Sequence, residues 1–217
     1  MTGSRRPVRP WSRRSRTILA GASVVALVLL AWLDRCGIAP GRLARRDAPQ
    51  HAAASDKTRY HGKVFRVLAI LDGDTVEVDA PDGRSAATRV RLLGIDAPEM
   101  NYEDHRPACF AEEATAFTRE LAGGKRVTVH LDDGDRTRCN YGRLLAYLEL
   151  PDGTILNETL LAEGYAYADL RFKHSSFHRY GQLEASARAL RKGLWAEVTQ
   201  EDLPDWLRRM RPDLLGE

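Results

Sequence analysis

The 217-residue chain carries 33 Lys/Arg against 30 Asp/Glu, a formal net charge of +3. That length suffices for one domain with a real core plus extensions. The charge is uneven, with 12 Lys/Arg and 3 Asp/Glu (+9) in residues 1–59 and 21 against 27 (−6) in residues 60–217. This balance excludes a broad polycationic face on the folded part, so any phosphate recognition there must be local.

In chain order, residues 1–16 are basic through Arg5, Arg6, Arg9, Arg13, Arg14 and Arg16, and read as a cytoplasmic N-terminus. Thr17–Leu33 (TILAGASVVALVLLAWL) is uncharged. As a helix rising ~1.5 Å per residue it spans about 25 Å, the low edge of a transmembrane segment and longer than the ~7–15 residues of a signal-peptide core. Positive charge before the run keeps that end inside, so the rest is expected on the extracytoplasmic side, periplasmic or at the cell surface. A retained membrane anchor is the leading reading. A cleaved signal, which would leave the chain secreted, is its rival. A buried soluble helix lacks the one-sided polarity it would need. Residues 34–59 are rich in Ala, Arg, Pro and Asp and read as a flexible linker. Export permits a disulfide between Cys109 and Cys139, and two unrelated thiols fit equally well. No spacing suggests zinc.

Globular patterning begins near Tyr60 and defines a domain over residues 60–196. Lys63–Leu71 and Thr75–Asp79 alternate and are rich in β-branched residues, so both read as strands, joined at Asp72-Gly73-Asp74. Pro81-Asp82-Gly83 is a turn. Ala87–Ile95 reads as a third strand, Arg126–Leu131 as a fourth and Arg143–Leu150 as a fifth. Glu112–Leu121, Leu156–Glu163 and Ser176–Lys192 read as helices, the last with Phe177, Tyr180, Leu183, Ala187 and Leu190 at helical spacing. The tail, residues 197–217, has a helical pattern through Trp206, Leu207 and Met210. Five short strands with a helix after the third, preceded by one transmembrane helix, predict a five-stranded OB-fold barrel with three α-helices.

The chemistry concentrates in two acidic turns, Asp72-Gly73-Asp74 and Asp96-Ala97-Pro98-Glu99. Two carboxylates brought together at strand ends repel each other, and a hard divalent cation such as Ca²⁺ relieves that repulsion. Taken singly, each aspartate is ordinary turn chemistry. Glu99 is a carboxylate beside such a site that can take a proton from water. Arg91 shares a strand face with Arg89, and an arginine among apolar neighbours calls for an anionic partner, either an acid of the fold or a substrate phosphate. Arg143, after Tyr141-Gly142, poses the same choice.

The set DGDT (Asp72–Thr75), RLLGIDAPE (Arg91–Glu99), YGR (Tyr141–Arg143), LNE (Leu156–Glu158) and KGLW (Lys192–Trp195) resembles the staphylococcal nuclease family in order and spacing. The resemblance covers about residues 60–195. It implies a Ca²⁺-dependent nuclease acting on DNA and RNA and leaving 3′-phosphate ends. By that resemblance Asp74, Asp96 and the backbone carbonyl of Ala97 hold the metal, and Asp72 is an outer-shell acid. Glu99 is the general base or the residue that orients the attacking water, Arg91 and Arg143 clamp phosphate, and Tyr141 contacts substrate. Phe172 is the candidate base-stacking residue. Ala97 stands where the family commonly has threonine. Cys139 and Asn140 precede the Tyr-Gly-Arg motif, where the family often has charged residues. His105, in the loop Asn101–Cys109, is expected in solvent. A monomer is expected. An alternative is a catalytically inactive OB-fold module that binds nucleic acid or protein.

Overall fold

The computed structural model describes residues 53–100 and 107–215. The basic arm, the apolar run at 17–33, residues 34–52 of the expected linker, Cys36 and His105 lie outside the described residues. Among the described residues, no helix is long and apolar enough to cross a membrane.

Residues 53–60 form a helix, α1, inside the stretch expected to begin as linker. Asp56 explains its attachment. Its carboxylate accepts from Thr137 Oγ1 at 2.7 Å and from Arg138 Nε and Nη2, each at 2.8 Å. The fold therefore starts before Tyr60.

The strands are β1 (Lys63–Asp72), β2 (Thr75–Val78), β3 (Thr88–Leu92), β4 (Ile95–Asp96), β5 (Arg126–His130), β6 (Leu144–Glu149) and β7 (Tyr167–Ala168). Strands β1, β2, β3, β6 and β5 close into a barrel in that order, and β5 returns to β1. All neighbours are antiparallel except β3 and β6. The interior is aliphatic: Val76, Val78, Val90, Val129, Leu144, Ala146 and Leu148 are fully buried. Each such Val or Leu side chain contributes roughly 1.5–3 kcal/mol of burial. The expected five-stranded barrel is thus the one observed.

The third strand was expected to run unbroken from Ala87 to Ile95. It stops at Leu92 because Gly94 has φ +79°, a conformation only glycine adopts cheaply. The two residues beyond it form β4, which pairs with β7 (Ile95 with Ala168, Asp96 with Tyr167). This small second sheet swings Asp96 to the mouth of the barrel. Asn157, fully buried, secures the departure point. Its Oδ1 accepts from Leu148 N, and its Nδ2 donates to Leu93 O at 3.0 Å.

Helices α2 (Ala111–Ala122), α3 (Leu156–Ala162) and α4 (Phe177–Ala189) match the expected three. The last ends earlier than its pattern suggests, with Leu190 exposed and Arg191 at φ +50°. The tail folds onto the domain. A 3₁₀ turn (Gly193–Ala196) and α5 (Asp205–Met210) build a second core of Tyr167, Leu194, Trp195, Leu203, Trp206 and Leu207. Fully buried Glu184 of α4 pairs with Arg211 of the tail and accepts from Ala168 N at 3.1 Å.

Candidate active site

The β1–β2 turn positions the first carboxylates. Asp74 N donates to Asp72 Oδ1 at 3.1 Å, which closes the turn locally. Gly73 is required there, because a Cβ would lie 2.7 Å from Ala97 Cβ and 3.0 Å from Ala114 Cβ. Thr118 of α2 fixes the turn by donating to Gly73 O at 2.7 Å. The amide of buried Ala97 in turn donates to Asp74 Oδ2 at 2.7 Å. The two acidic turns are therefore latched together.

Arg91 lies between Asp74 and Asp96 and donates to Oδ1 of each. The three side chains are 11%, 1% and 13% exposed, so their pairing is shielded from water. Pairing of Thr75 with Arg91 across β2 and β3 sets this alignment. Arg89, on the same strand face, goes to Glu77 at 2.9 Å instead.

Arg91, Asp96, Glu99, Tyr141, Arg143 and Phe172 line one cleft of about 420 Å³. Asp72 and Asp74 are not among its lining residues, but Asp74 is hydrogen-bonded to Arg91, and the charges of Arg91 and Arg143 act on Asp72. Arg143 Nη1 donates to Thr75 Oγ1 at 3.3 Å, and Nε donates to Cys139 Sγ at 3.5 Å. Burial raises the Cys139 thiol, but the Arg143 guanidinium and the amides of Tyr141 and Arg143 outweigh it, so its pKa is lowered overall. Cys109 and Cys139 are both free thiols. Tyr141 is 85% exposed and Phe172 51%, so both side chains are accessible from solvent at the cleft. The Arg143 guanidinium lies 5.5 Å from the Tyr141 ring centre, and that of Arg136 lies 5.4 Å from the Phe172 ring centre. The segment before the Tyr-Gly-Arg turn is held by Arg136, which donates to Asn140 Oδ1 at 3.0 Å.

Glu99 is exposed as a residue, yet the cleft walls strip water from its carboxylate. That burial raises its pKa. Asp72 and Asp96 raise it further, while Arg91 and Arg143 pull the other way. Asp72 is also raised, mainly by burial, against the pull of Arg91. Five carboxylates (Asp72, Asp74, Asp96, Glu99, Asp169) thus share three guanidiniums (Arg91, Arg143, Arg171), an excess of two acids over bases. A hard divalent cation fits the oxygen donors of these acids; of the softer groups lining the cleft, Cys139 Sγ accepts from Arg143 and His174 Nδ1 is engaged by Tyr147 OH at 3.0 Å. Among the described residues, no three His, Cys, Asp or Glu side chains already converge on one point; Arg91 lies between the two principal acids.

Sequence reasoning missed two contributors. Trp206 Nε1 donates to Asp96 Oδ2 at 2.7 Å, and Arg171 lies 3.5 Å from Asp96 Oδ1 while covering the Trp206 ring at 4.4 Å. A separation of 110 residues between Trp206 and Asp96 left no local signal.

A closed five-stranded barrel with helices, carrying clustered carboxylates and arginines at its mouth, defines an OB-fold of the nuclease type. A family model described as staphylococcal nuclease homologue matches residues 89–197. The chain is 34% identical over 151 residues to an uncharacterized endonuclease of Escherichia coli, covering 70% of this chain and 86% of that one. It is 31% identical over 135 residues to a thermonuclease of Staphylococcus hyicus, covering 62% and 76%. It is 30% identical over 157 residues to endonuclease YhcR of Bacillus subtilis, covering 68% of this chain and 12% of that one. The chain belongs to the staphylococcal nuclease family.

Proposed function

We propose that this protein is a Ca²⁺-dependent nuclease that hydrolyses phosphodiester bonds of DNA and RNA and leaves 3′-phosphate ends. The observation that carries the reading is the single cleft shared by Glu99, Arg91 and Arg143 beside Asp74 and Asp96. Asp74, Asp96 and the Ala97 carbonyl would hold Ca²⁺, with Asp72 as an outer partner. Bound there, the ion would neutralise phosphate charge.

The chain's own groups supply the rest. Arg143 holds a phosphate at the cleft, and Arg91, shared between two carboxylates, is the second guanidinium available to it. Both gain contact as negative charge builds in the transition state. Glu99 takes the proton of the attacking water, and its raised pKa moves it toward the working pH of a base. The water oxygen bonds to phosphorus, the bond to the 5′ oxygen breaks, and the 3′ side keeps the phosphate. Phosphate contacts carry little base information, which suits action on both DNA and RNA.

The N-terminal basic run and apolar segment support a membrane-tethered enzyme with its nuclease domain outside the cytoplasm, where Ca²⁺ is available. Mass spectrometry of the mature N-terminus distinguishes a retained anchor from a cleaved signal.

Incubating the full-length chain with plasmid DNA and with RNA, with Ca²⁺ or with a chelator, tests the function. Cleavage of both only with Ca²⁺, with 3′-phosphate ends, is expected. Tight binding without turnover in Ca²⁺ would instead establish the inactive binding module.

A further inference from the structure

The C-terminal tail reaches the proposed metal carboxylate. Its entry is anchored twice. Leu203, Trp206 and Leu207 pack into the second core, and Arg211 neutralises buried Glu184. These contacts fix α5 so that the Trp206 indole N–H meets Asp96 Oδ2 at 2.7 Å. The indole can only donate, so the oxygen it meets is committed as an acceptor. Arg171 closes the arrangement. Two bonds to Asp169, at 2.8 and 2.9 Å, hold its guanidinium, which then covers the indole face at 4.4 Å and approaches Asp96 Oδ1 at 3.5 Å.

We propose that Trp206, braced by Arg171, is a positioning residue for Asp96. It ties down Oδ2, so that Oδ1, which Arg91 also contacts, is the oxygen that would meet a cation together with Asp74. Without the indole N–H, Asp96 keeps its Oδ1 contacts with Arg91 and Arg171, but Oδ2 loses the bond that fixes the tilt of the carboxylate. Groups that orient metal-binding carboxylates typically change metal affinity by about 10–100-fold when removed. The same contact steadies the segment that carries Phe172, because Arg171 precedes it directly. The inference rests on the metal-dependent reading above and adds to it a residue that lies beyond the family match.

Trp206→Phe removes the N–H and keeps a ring for Arg171 to cover, and a second variant ends the chain after Leu203. Ca²⁺ binding to the chelator-stripped full-length protein is measured by calorimetry. Tb³⁺ luminescence excited through tryptophan is a second readout, and trypsin cleavage at Arg208 and Arg209 reports whether the tail stays docked. Both variants are expected to bind Ca²⁺ roughly tenfold more weakly. Trp206→Phe should keep its tail protected and lose most of the sensitised Tb³⁺ signal. In turnover, the Ca²⁺ concentration for half-maximal rate should rise by more than kcat falls. Unchanged Ca²⁺ affinity in both variants, with a wild-type chain that binds, overturns the inference alone. A wild-type chain that binds neither ion overturns the metal reading and this inference together.

Discussion

Arg138 forks onto Asp56 across 82 residues, with Nε and Nη2 each 2.8 Å from the carboxylate. The same guanidinium donates to Gly142 O at 2.9 Å and pairs with Asp82 at 2.6 Å. The first described helix is therefore wired to the turn that presents Arg143.

Burial would raise the Asp56 pKa, but the bonds from Arg138 and Thr137 outweigh it and depress it overall. A depressed carboxylate stabilises the fold above its ordinary pKa of about 3.9, and that contribution is lost as pH falls through the folded value. Asp56→Asn is expected to cost about 2–3 kcal/mol near pH 7. Urea denaturation at two pH values checks this, since the gap to wild type should narrow in acid. A gap independent of pH would refute the assignment.

Glu99→Gln is expected to lower the nuclease rate by ~10²–10³ in Ca²⁺. Its effect on stability has the opposite sign. Burial, Asp72 and Asp96 raise the Glu99 pKa, so the folded state binds its proton more tightly than the unfolded chain does. Stability then declines as pH rises from about 4.3 through the raised value. With a chelator present, thermal melting near pH 7 should therefore show Glu99→Gln at or above wild type. A variant that is inactive and clearly less stable would point to a structural role instead.

The cysteines offer a readout of the Arg143 environment. The Cys139 pKa is lowered, whereas that of Cys109 is raised by burial, then by Asp202, Glu197 and Glu113. Although Cys109 is the more exposed, Cys139 should be alkylated faster at mildly acidic pH, where thiolate content decides the rate. Site-resolved mass spectrometry after iodoacetamide gives the comparison. Arg143→Ala should abolish the advantage of Cys139.

Tyr141→Ala and Phe172→Ala test the accessible rings of the cleft. Stacking on a base is worth ~1–3 kcal/mol, so each change should raise KM for single-stranded substrate by roughly 5- to 160-fold. Steady-state kinetics should show kcat changing far less. An unchanged KM in the Phe172 variant would remove it from the substrate path.

Much of this architecture was readable along the chain. Alternation of small β-branched residues marks β2, β3 and β5, because one face of each meets the barrel interior. The carboxylates and arginines were readable as motifs, since turn chemistry and strand register confine them to a few positions. What escaped was non-local. Strand β7 is two residues long and exists only because β4 lies beside it. The helix at residues 53–60 has a linker-like composition and is held by Asp56 reaching a partner far along the chain. Nothing in Pro204-Asp205-Trp206 announces Asp96.

The position of Trp206 sets the borders of the family match apart from the borders of the candidate site. The family match runs from residue 89 to 197. A fragment cut at those borders would keep Arg91, Glu99 and Arg143. It would discard Asp72 and Asp74 at one end and the indole that holds Asp96 at the other. The stretch matched by the family model thus holds only part of the cleft's groups, and Asp72, Asp74 and the indole at Asp96 come from its two flanks. A tag fused close behind α5 would add a load to the site itself rather than to a dispensable terminus.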